Sequence, residues 1–364
     1  MEKNNLWLLD AHCDSFEMRN FLNHDFNLAK GRYVISETTK QFLERTFHKK
    51  LPSMVDHHYQ VTEHRLKKGN VKALFLNVAD YDFLQSSKMI SAAYNLTDEF
   101  TICYDYHDIG QAIMSEKIAL ILTAEGPLLF HGKIDLLRNW HRLGIRMVSL
   151  SHGEGTEGFP KNAQLVYKNL MALAPRCALQ ISTSHECYFS ALTREKLYKK
   201  EKGLSSVGKQ MLKEMSRLNI VCDLSHANDA AFWESLEMSA GKFCATHSNC
   251  AAFCKHTRNL TDEMMKALAA RGGVMGLCFY GEYIDQHKPS FKCFVEHILH
   301  ALAIMGPDHV GIGSDFDGTE PGAWMAIDHP GKMHQLWEAL DKAGVDQSTL
   351  EKIAHQNFMQ LLIP

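Results

Sequence analysis

Short apolar runs recur along the whole chain, with polar segments between them. A strand that is covered on both faces carries apolar side chains at nearly every position, so each run predicts a buried strand of a parallel sheet. Eight runs have this character: 6–10, 73–78, 118–123, 145–150, 220–224, 243–246, 273–279 and 309–313.

Most intervals between these runs carry apolar residues at helical spacing. Between Val207 and Leu218 they recur every three or four positions, which predicts a helix over 205–218. Further helices are predicted over 230–238, 262–270 and 294–304. Strands that alternate with helices form parallel β–α units, and eight such units predict a closed (β/α)8 TIM barrel.

The chain of 364 residues is long enough for one large barrel, and neither a repeat nor a linker divides it. We therefore predict a single (β/α)8 barrel domain over residues 1–364. Two candidate cap or lid segments interrupt the pattern. The segment near 25–70 is charged and helical in character, and the segment near 153–204 is long for one β–α connection.

Ionisable side chains directly follow several of the apolar runs. In a (β/α)8 barrel the C-terminal ends of all strands converge on one face, where active sites lie. The predicted barrel gathers seven such residues around one rim: His12, Asp14, Glu125, His152, His226, His247 and Asp315. Taken alone, His226 could be a loop histidine, Glu125 a first-turn helix acid and Asp315 a turn residue. Their common position favours a functional site.

Histidine and carboxylate side chains are together the ligands of catalytic zinc sites. His12, Asp14 and Glu125 could hold one Zn²⁺ ion. His226 and His247 could hold a second ion with the other carboxylate oxygen of Glu125. Ions roughly 3.5 Å apart, with an activated water between them, are typical of two-metal hydrolases. The sequence thus predicts two Zn²⁺ ions per chain, bridged by Glu125 and a hydroxide.

Two other motifs suggest different chemistry. The glycines at 311 and 313 resemble the start of a dinucleotide-binding loop, but Phe316 stands where the third glycine is needed. Spacing compatible with a structural zinc site occurs in a second group: His247, Cys250, Cys254 and His256. We interpret these two cysteines as packing residues, because their surroundings suggest no tetrahedral arrangement.

The overall composition excludes several classes of partner. A formal net charge of −3 gives no electrostatic reason to expect nucleic acid or an anionic membrane. The sequence shows no apolar stretch of bilayer-spanning length and no signal-peptide or lipid-anchor pattern. Ten cysteines in 364 residues are too few for a disulfide scaffold. We therefore expect a cytoplasmic protein without a membrane anchor.

Several blocks of the sequence closely resemble the membrane dipeptidase (renal dipeptidase) family, the M19 zinc peptidases. They are HCD at 12–14, AEG at 124–126, the segment 203–249 around VCDLSHAND and FCATHSN, HTRNLTDEMMKALAARGGVMG at 256–276, and HVGIGSDFDG at 309–318. The resemblance implies a (β/α)8 barrel of the metal-dependent amidohydrolase type with a binuclear zinc centre. The zinc ligands that it implies are His12, Asp14, Glu125, His226 and His247, with Glu125 as the bridge.

The resemblance also implies roles around the substrate. His152 matches a histidine that contacts the substrate and stabilises the tetrahedral intermediate. Arg258 matches an arginine that binds the substrate's C-terminal carboxylate, and Asp315 matches an acid that passes a proton to the leaving amine. After His152, the stretch GEGTEGFP replaces the Trp-Ala-Asp-containing segment that is usual in the family.

The implied activity is hydrolysis of dipeptides, including those with a C-terminal D-amino acid, by a metal-bridging hydroxide. Another amide hydrolase on the same site, such as an N-acyl-amino-acid deacylase or a lactamase-like enzyme, is an alternative. An inactive metal-bound binding protein is a third hypothesis. Family members often form homodimers, and a homodimer is therefore the expected assembly if one forms.

Overall fold

The computed structural model describes residues 6–16, 28, 32–33, 57–79, 83–96, 98–126, 128–130, 132–151, 203–319 and 322–364. The candidate cap segment 153–204 lies outside these residues except for positions 203 and 204. Within the other candidate segment, 25–70, the longest described stretch is 57–70, which holds a short strand and a helix.

The described strands lie where the apolar runs predict them, with three additions. In chain order they are β1 (Leu8–Cys13), β2 (Arg32–Tyr33), β3 (His57–His58), β4 (Val71–Asn77), β5 (Phe100–Ile102), β6 (Ile118–Ala124), β7 (Ile145–Ser149), β8 (Val221–Asp223), β9 (Phe243–Ser248), β10 (Val274–Leu277) and β11 (Val310–Ile312). Eight of them pair in the order β1-β4-β6-β7-β8-β9-β10-β11, and all these pairs are parallel. The additions are β5, which pairs with the first half of β6, and the antiparallel pair of β2 and β3.

The sheet closes into a barrel because the segment after β11 returns to β1. The backbone N–H of Asp14 donates to the carbonyl of Phe316 at 3.0 Å. The N–H of Asp315 donates to the carbonyl of His12 at 3.3 Å. These bonds join the last strand to the first, and the prediction of a (β/α)8 barrel is confirmed.

Helices connect the strands and cover the outside of the barrel. The described α-helices are Glu63–Lys68, Phe83–Tyr94, Tyr106–Met114, Ile134–Arg142, Ser206–Arg217, Asp229–Met238, Asp262–Ala270, Gly281–Ile284, Phe291–Met305, His334–Lys342, Gln347–Glu351 and Asn357–Gln360. The helix predicted over 294–304 begins earlier because the hydroxyl of Ser290 accepts the N–H of Cys293 and caps it there. In the described part of the chain, no helix combines the length and apolar character that crossing a bilayer requires.

The C-terminal residues close the N-terminal mouth of the barrel. Phe358 packs its ring edge-on against Phe75 inside the barrel, with 5.9 Å between the ring centroids. The carbonyl of Leu362 accepts the N–H of Tyr106 at 3.3 Å, and the carbonyl of Ile363 accepts the Nζ of Lys242. With this end filled by apolar side chains, the opposite mouth is the one available to a ligand.

Candidate metal centre

Three histidine nitrogens and one carboxylate oxygen meet at the C-terminal end of the barrel. The Nε2 atoms of His226, His247 and His12 lie 2.7, 3.3 and 3.6 Å from Oε1 of Glu125. His12 and His247 lie on β1 and β9, while Glu125 and His226 follow β6 and β8. None of the four side chains is more than 5% exposed. The predicted convergence of these residues on one rim is therefore present in the structure.

Two further carboxylates lie against His12. Its Nε2 is 3.1 Å from Oδ2 of Asp14. Ligand atoms of His12, Asp14 and Asp315 all lie within 4.8 Å of one another. Asp315 therefore belongs to the same cluster as the candidate ligands His12 and Asp14.

The distances and the donor set both fit a zinc site. Zinc binds imidazole nitrogen and carboxylate oxygen at about 2.0–2.2 Å, so two ligands of a tetrahedral site lie roughly 3.3–3.6 Å apart. The separations from Glu125 Oε1 to Nε2 of His247 and His12, 3.3 and 3.6 Å, match this length. Nε2 of His226 lies closer, at 2.7 Å from Glu125 Oε1 and 3.0 Å from Nε2 of His247.

Because Gly318 has no side chain, the carboxylates of Asp14 and Asp315 can approach its backbone closely. A Cβ atom on Gly318 would lie 2.2 Å from Oδ2 of Asp14 and 2.3 Å from Oδ1 of Asp315. Real Cβ atoms essentially never approach other heavy atoms closer than 3.0 Å. Any residue other than glycine at this position would therefore displace the two carboxylates.

The turn after β11 directs Asp315 towards the cluster. Asp315 and Asp317 both have a φ of 63°, a left-handed conformation that aspartate tolerates better than most residues. Ser314 holds this turn to β1, because its N–H and its hydroxyl donate to the buried carboxylate of Asp10 at 2.8 and 2.6 Å. Burial raises the pKa of Asp315 to about 7, although the positive charge of His12 lowers it.

Burial and charge affect the two stacked histidines differently. The rings of His12 and His247 stack with their centroids 3.8 Å apart. Burial lowers the pKa of His12, but Asp14 and Glu125 outweigh burial and hold it well above its usual value. Burial, followed by the charges of His12 and Arg258, holds the pKa of His247 well below its usual value. Negative charge is therefore concentrated around His12, where a cation would neutralise it.

Arg258 is buried against the same cluster. Its guanidinium donates to the backbone carbonyls of Ser225 and His247, the second at 3.2 Å. Nη2 of Arg258 lies 3.0 Å from Nε2 of His226. The guanidinium also lies over the ring of Tyr283, 5.3 Å from its centroid. Arg258 therefore places a positive charge beside His226.

Supporting residues at other strand ends escape the sequence analysis. Nδ2 of Asn77 donates to Oδ1 of Asp14 at 2.9 Å, and Oδ1 of Asn77 accepts the N–H of Glu125 at 3.1 Å. Asn77 thus connects two candidate ligands across β4. Asp223 and Thr246 support the histidine of β9 in a similar way. All three lie in the last residues of apolar runs that the sequence analysis assigned to strands, where a single polar residue does not by itself indicate a role.

Two sequence predictions fall elsewhere. His152 lies outside the described residues, and its contact with substrate stays a prediction. In the alternative zinc group, the thiol of Cys250 donates to the carbonyl of His297, while that of Cys254 donates to the carbonyl of Glu282. Both cysteines are buried and bonded to different parts of the fold, as packing residues are.

The sequence matches the family model of the membrane dipeptidases, peptidase family M19, over residues 8–173 and 167–363. The dipeptidase tcpJ of Claviceps purpurea is 26% identical over 268 residues, which are 73% of this chain and 55% of that protein. An uncharacterized protein from the pqqA 5′ region of Klebsiella pneumoniae is 35% identical over 167 residues, 44% of this chain and 60% of that protein. The chain thus spans just over half the length of these curated relatives.

Solved structures share the fold over nearly the whole chain. A metallopeptidase of Rhodobacter sphaeroides, solved with a phosphinate mimic of the dipeptide L-Ala-D-Ala, has a TM-score of 0.72 at 20% identity and 98% coverage of both chains. The dipeptidase AC, a metallopeptidase of family M19, has a TM-score of 0.71 at 21% identity, covering 99% of this chain and 98% of its own. The predicted (β/α)8 barrel fold is thereby confirmed. Because the family model spans nearly all of the sequence, the chain belongs to the membrane dipeptidase family, peptidase family M19.

Proposed function

We propose that this chain is a metal-dependent dipeptidase that binds two Zn²⁺ ions and hydrolyses dipeptides, including those with a C-terminal D-amino acid. The observation that carries this proposal is the approach of three histidine Nε2 atoms to one oxygen of Glu125, at 2.7, 3.3 and 3.6 Å. Membership of the family supports the reaction. The L-Ala-D-Ala mimic bound to the Rhodobacter relative supports the stereochemistry.

The proposed ligands divide between two ions. His12 and Asp14 would hold one, His226 and His247 would hold the other, and Glu125 would contribute to both. When bound, the ions polarise the scissile carbonyl and activate water for attack on it. Because Nη2 of Arg258 lies 3.0 Å from Nε2 of His226, this contact has to open when His226 binds an ion. The released guanidinium N–H is then available to the substrate.

The remaining residues bind the substrate and move protons. Arg258 pairs with the C-terminal carboxylate through the planar geometry that suits guanidinium–carboxylate bonds. That anchor places the scissile amide one residue from the C-terminus, which selects dipeptides. Asp315, which lies in one cluster with the candidate ligands His12 and Asp14, accepts the proton of the attacking water and returns it to the leaving amine. His152 donates to the developing oxyanion.

Metal analysis followed by a dipeptide screen tests this proposal. We expect about two zinc ions per purified chain and hydrolysis of Xaa–D-Ala and Xaa–Gly dipeptides. The control Asp315→Asn should retain zinc and lose hydrolysis. A fully metallated chain that hydrolyses no dipeptide would refute the proposal, and turnover of only N-blocked substrates would instead indicate the deacylase.

We also propose a cytoplasmic location. All eight cysteines in the described part of the chain are free thiols, which a reducing compartment preserves. Fractionation of the native host cells tests this. Activity confined to a membrane or secreted fraction would contradict it.

A further inference from the structure

We infer that Thr246 and Asp223 are positioning residues that fix the tautomer of His247, so that its Nε2 lone pair faces the metal centre. This inference rests on the proposed metal site and adds two residues that the family motifs do not assign to it. Asp223 ends β8, and Thr246 precedes His247 on the neighbouring strand β9. All three side chains are buried.

The protons around Asp223 can be assigned from the distances. Its Oδ1 accepts the backbone N–H groups of Ser225 and Thr246, both at 3.0 Å, and the hydroxyl of Ser225 at 2.7 Å. Its Oδ2 accepts the hydroxyl of Thr246 at 2.6 Å and that of Ser149 at 3.2 Å. A carboxylate on which five donors converge is an acceptor throughout. Oγ1 of Thr246 also lies 3.1 Å from Oγ of Ser225, but its contact with Asp223 is shorter and has a charged acceptor. The proton of the Thr246 hydroxyl is therefore assigned to its bond with Asp223.

The assignment at Thr246 decides the state of the histidine ring. A threonine hydroxyl has one proton, and this one is already donated to Asp223. The 2.8 Å contact between Oγ1 of Thr246 and Nδ1 of His247 therefore requires a proton on Nδ1. In the neutral ring this leaves Nε2 unprotonated, and Nε2 is the atom 3.3 Å from Oε1 of Glu125. A hydrogen bond from the second ring nitrogen is how proteins orient histidine ligands.

Three substitutions distinguish this role from simple packing. Thr246→Val keeps the shape of the side chain but removes the hydroxyl, so the ring can adopt either tautomer. Thr246→Ser keeps the hydroxyl and should restore the behaviour of the wild type. Asp223→Asn should reverse the direction of the two hydrogen bonds that link residue 223 to Thr246 and Thr246 to His247. Because three donors face Oδ1, the amide oxygen takes that place and the NH₂ group faces Thr246. The hydroxyl then accepts from the amide and donates to Nδ1, which moves the ring proton to Nε2.

The first measurement is the Zn²⁺ affinity of the purified full chain, by competition with a chelator. We expect Thr246→Ser to match the wild type, Thr246→Val to bind about 10–100-fold more weakly, and Asp223→Asn to bind more weakly still. Thr123→Val is the matched control and should bind like the wild type. Thr123 is also buried on a barrel strand, but its hydroxyl has no hydrogen-bond partner among the described residues.

The second measurement reads the tautomer itself in metal-free protein, by ¹⁵N NMR of histidine-labelled chain. The signal of His247 is assigned from its loss in His247→Gln. We expect the Nδ1–H form in the wild type and the Nε2–H form in Asp223→Asn. An Nε2–H wild type, or equal Zn²⁺ affinities of Thr246→Val and the wild type, would overturn the inference. A chain that binds Zn²⁺ in the expected order but cleaves no dipeptide would refute only the proposed function, whereas a wild type that binds no Zn²⁺ would refute both.

Discussion

A single methyl group at position 318 should strongly reduce the proposed dipeptidase activity without unfolding the protein. In Gly318→Ala the new Cβ would lie 2.2 Å from Oδ2 of Asp14 and 2.3 Å from Oδ1 of Asp315, where real contacts are at least 3.0 Å. Each carboxylate oxygen would therefore have to move away from the new Cβ by about 0.7–0.8 Å. Both atoms are ends of side chains, so they can retreat without moving the backbone.

This displacement of two side-chain oxygens should cost the fold little free energy, but it is large compared with the tolerance of a metal site. Ligand distances at a functional metal centre are held within about 0.2 Å, and a misplacement of about 1 Å reduces the rate by about 100-fold. Asp14 cannot rotate freely, since its other oxygen accepts Nδ2 of Asn77 at 2.9 Å. We therefore expect kcat/KM of Gly318→Ala to fall by about 100-fold or more. The free energy of unfolding should change by less than about 1 kcal/mol.

Gly110→Ala provides the matched control. Gly110 lies in the helix Tyr106–Met114, and a Cβ there meets no atom within 4 Å. Alanine is the better helix former by about 0.5–1 kcal/mol, so this variant should be slightly stabilised and fully active. Three measurements compare both variants with the wild type. They are the steady-state hydrolysis of an Xaa–D-Ala dipeptide for activity, the zinc content for metal binding, and urea denaturation for the free energy of unfolding. Hydrolysis and zinc content in Gly318→Ala equal to those of the wild type would refute the geometric reasoning.

Three further changes have defined outcomes. Arg258→Lys loses the two parallel hydrogen bonds that a guanidinium makes to a carboxylate. The KM for dipeptides should therefore rise about tenfold or more, with a smaller change in kcat. An unchanged KM would exclude Arg258 as the residue that anchors the substrate carboxylate. Burial lowers the pKa of His355 to about 4, so its protonation favours unfolding. The contribution of His355 to the free energy of unfolding is therefore complete above pH 6.5. It should fall by about 1–2 kcal/mol by pH 4.5, a figure reduced to allow for the partial exposure of the ring. Urea denaturation at several pH values should show a weaker pH dependence of stability for His355→Gln. Chelation of the metals should lower Tm, because free Zn²⁺ at 100 times Kd stabilises the native state by about 2.7 kcal/mol per site, and a Tm unaffected by a chelator would contradict metal binding.

The strands of the barrel are predictable because burial on both faces requires continuous apolar sequence. β6 is predicted over 118–123 and runs over Ile118–Ala124, and each of its residues is buried. β5 escapes prediction because Phe100–Ile102 is only three residues long and includes a threonine. The C-terminal segment escapes for a different reason. Its apolar residues indicate burial, but no periodicity shows that they fill the N-terminal mouth of the barrel.

The candidate ligands are predictable from topology, whereas their supports are not. Parallel strands end at one rim, so a histidine after β8 and another on β9 must be neighbours there. Asn77 and Asp223 occupy equivalent positions, but a single polar residue at a strand end has many explanations. What distinguishes them is a set of hydrogen bonds of about 3 Å, which depends on strand register and side-chain rotamers rather than on sequence spacing.

The candidate metal centre and the closure of the barrel depend on the same short strand. Along β1, Asp10 accepts Ser314 and the carbonyl of His12 accepts the N–H of Asp315. The first of these bonds joins residues 304 positions apart. Closing so long a loop has an entropic cost that no local contact offsets, so the geometry of the ligands exists only once the last strand has joined the first. Any cation bound between His12 and Glu125 therefore binds the closed barrel alone, and by linkage it must stabilise that closure.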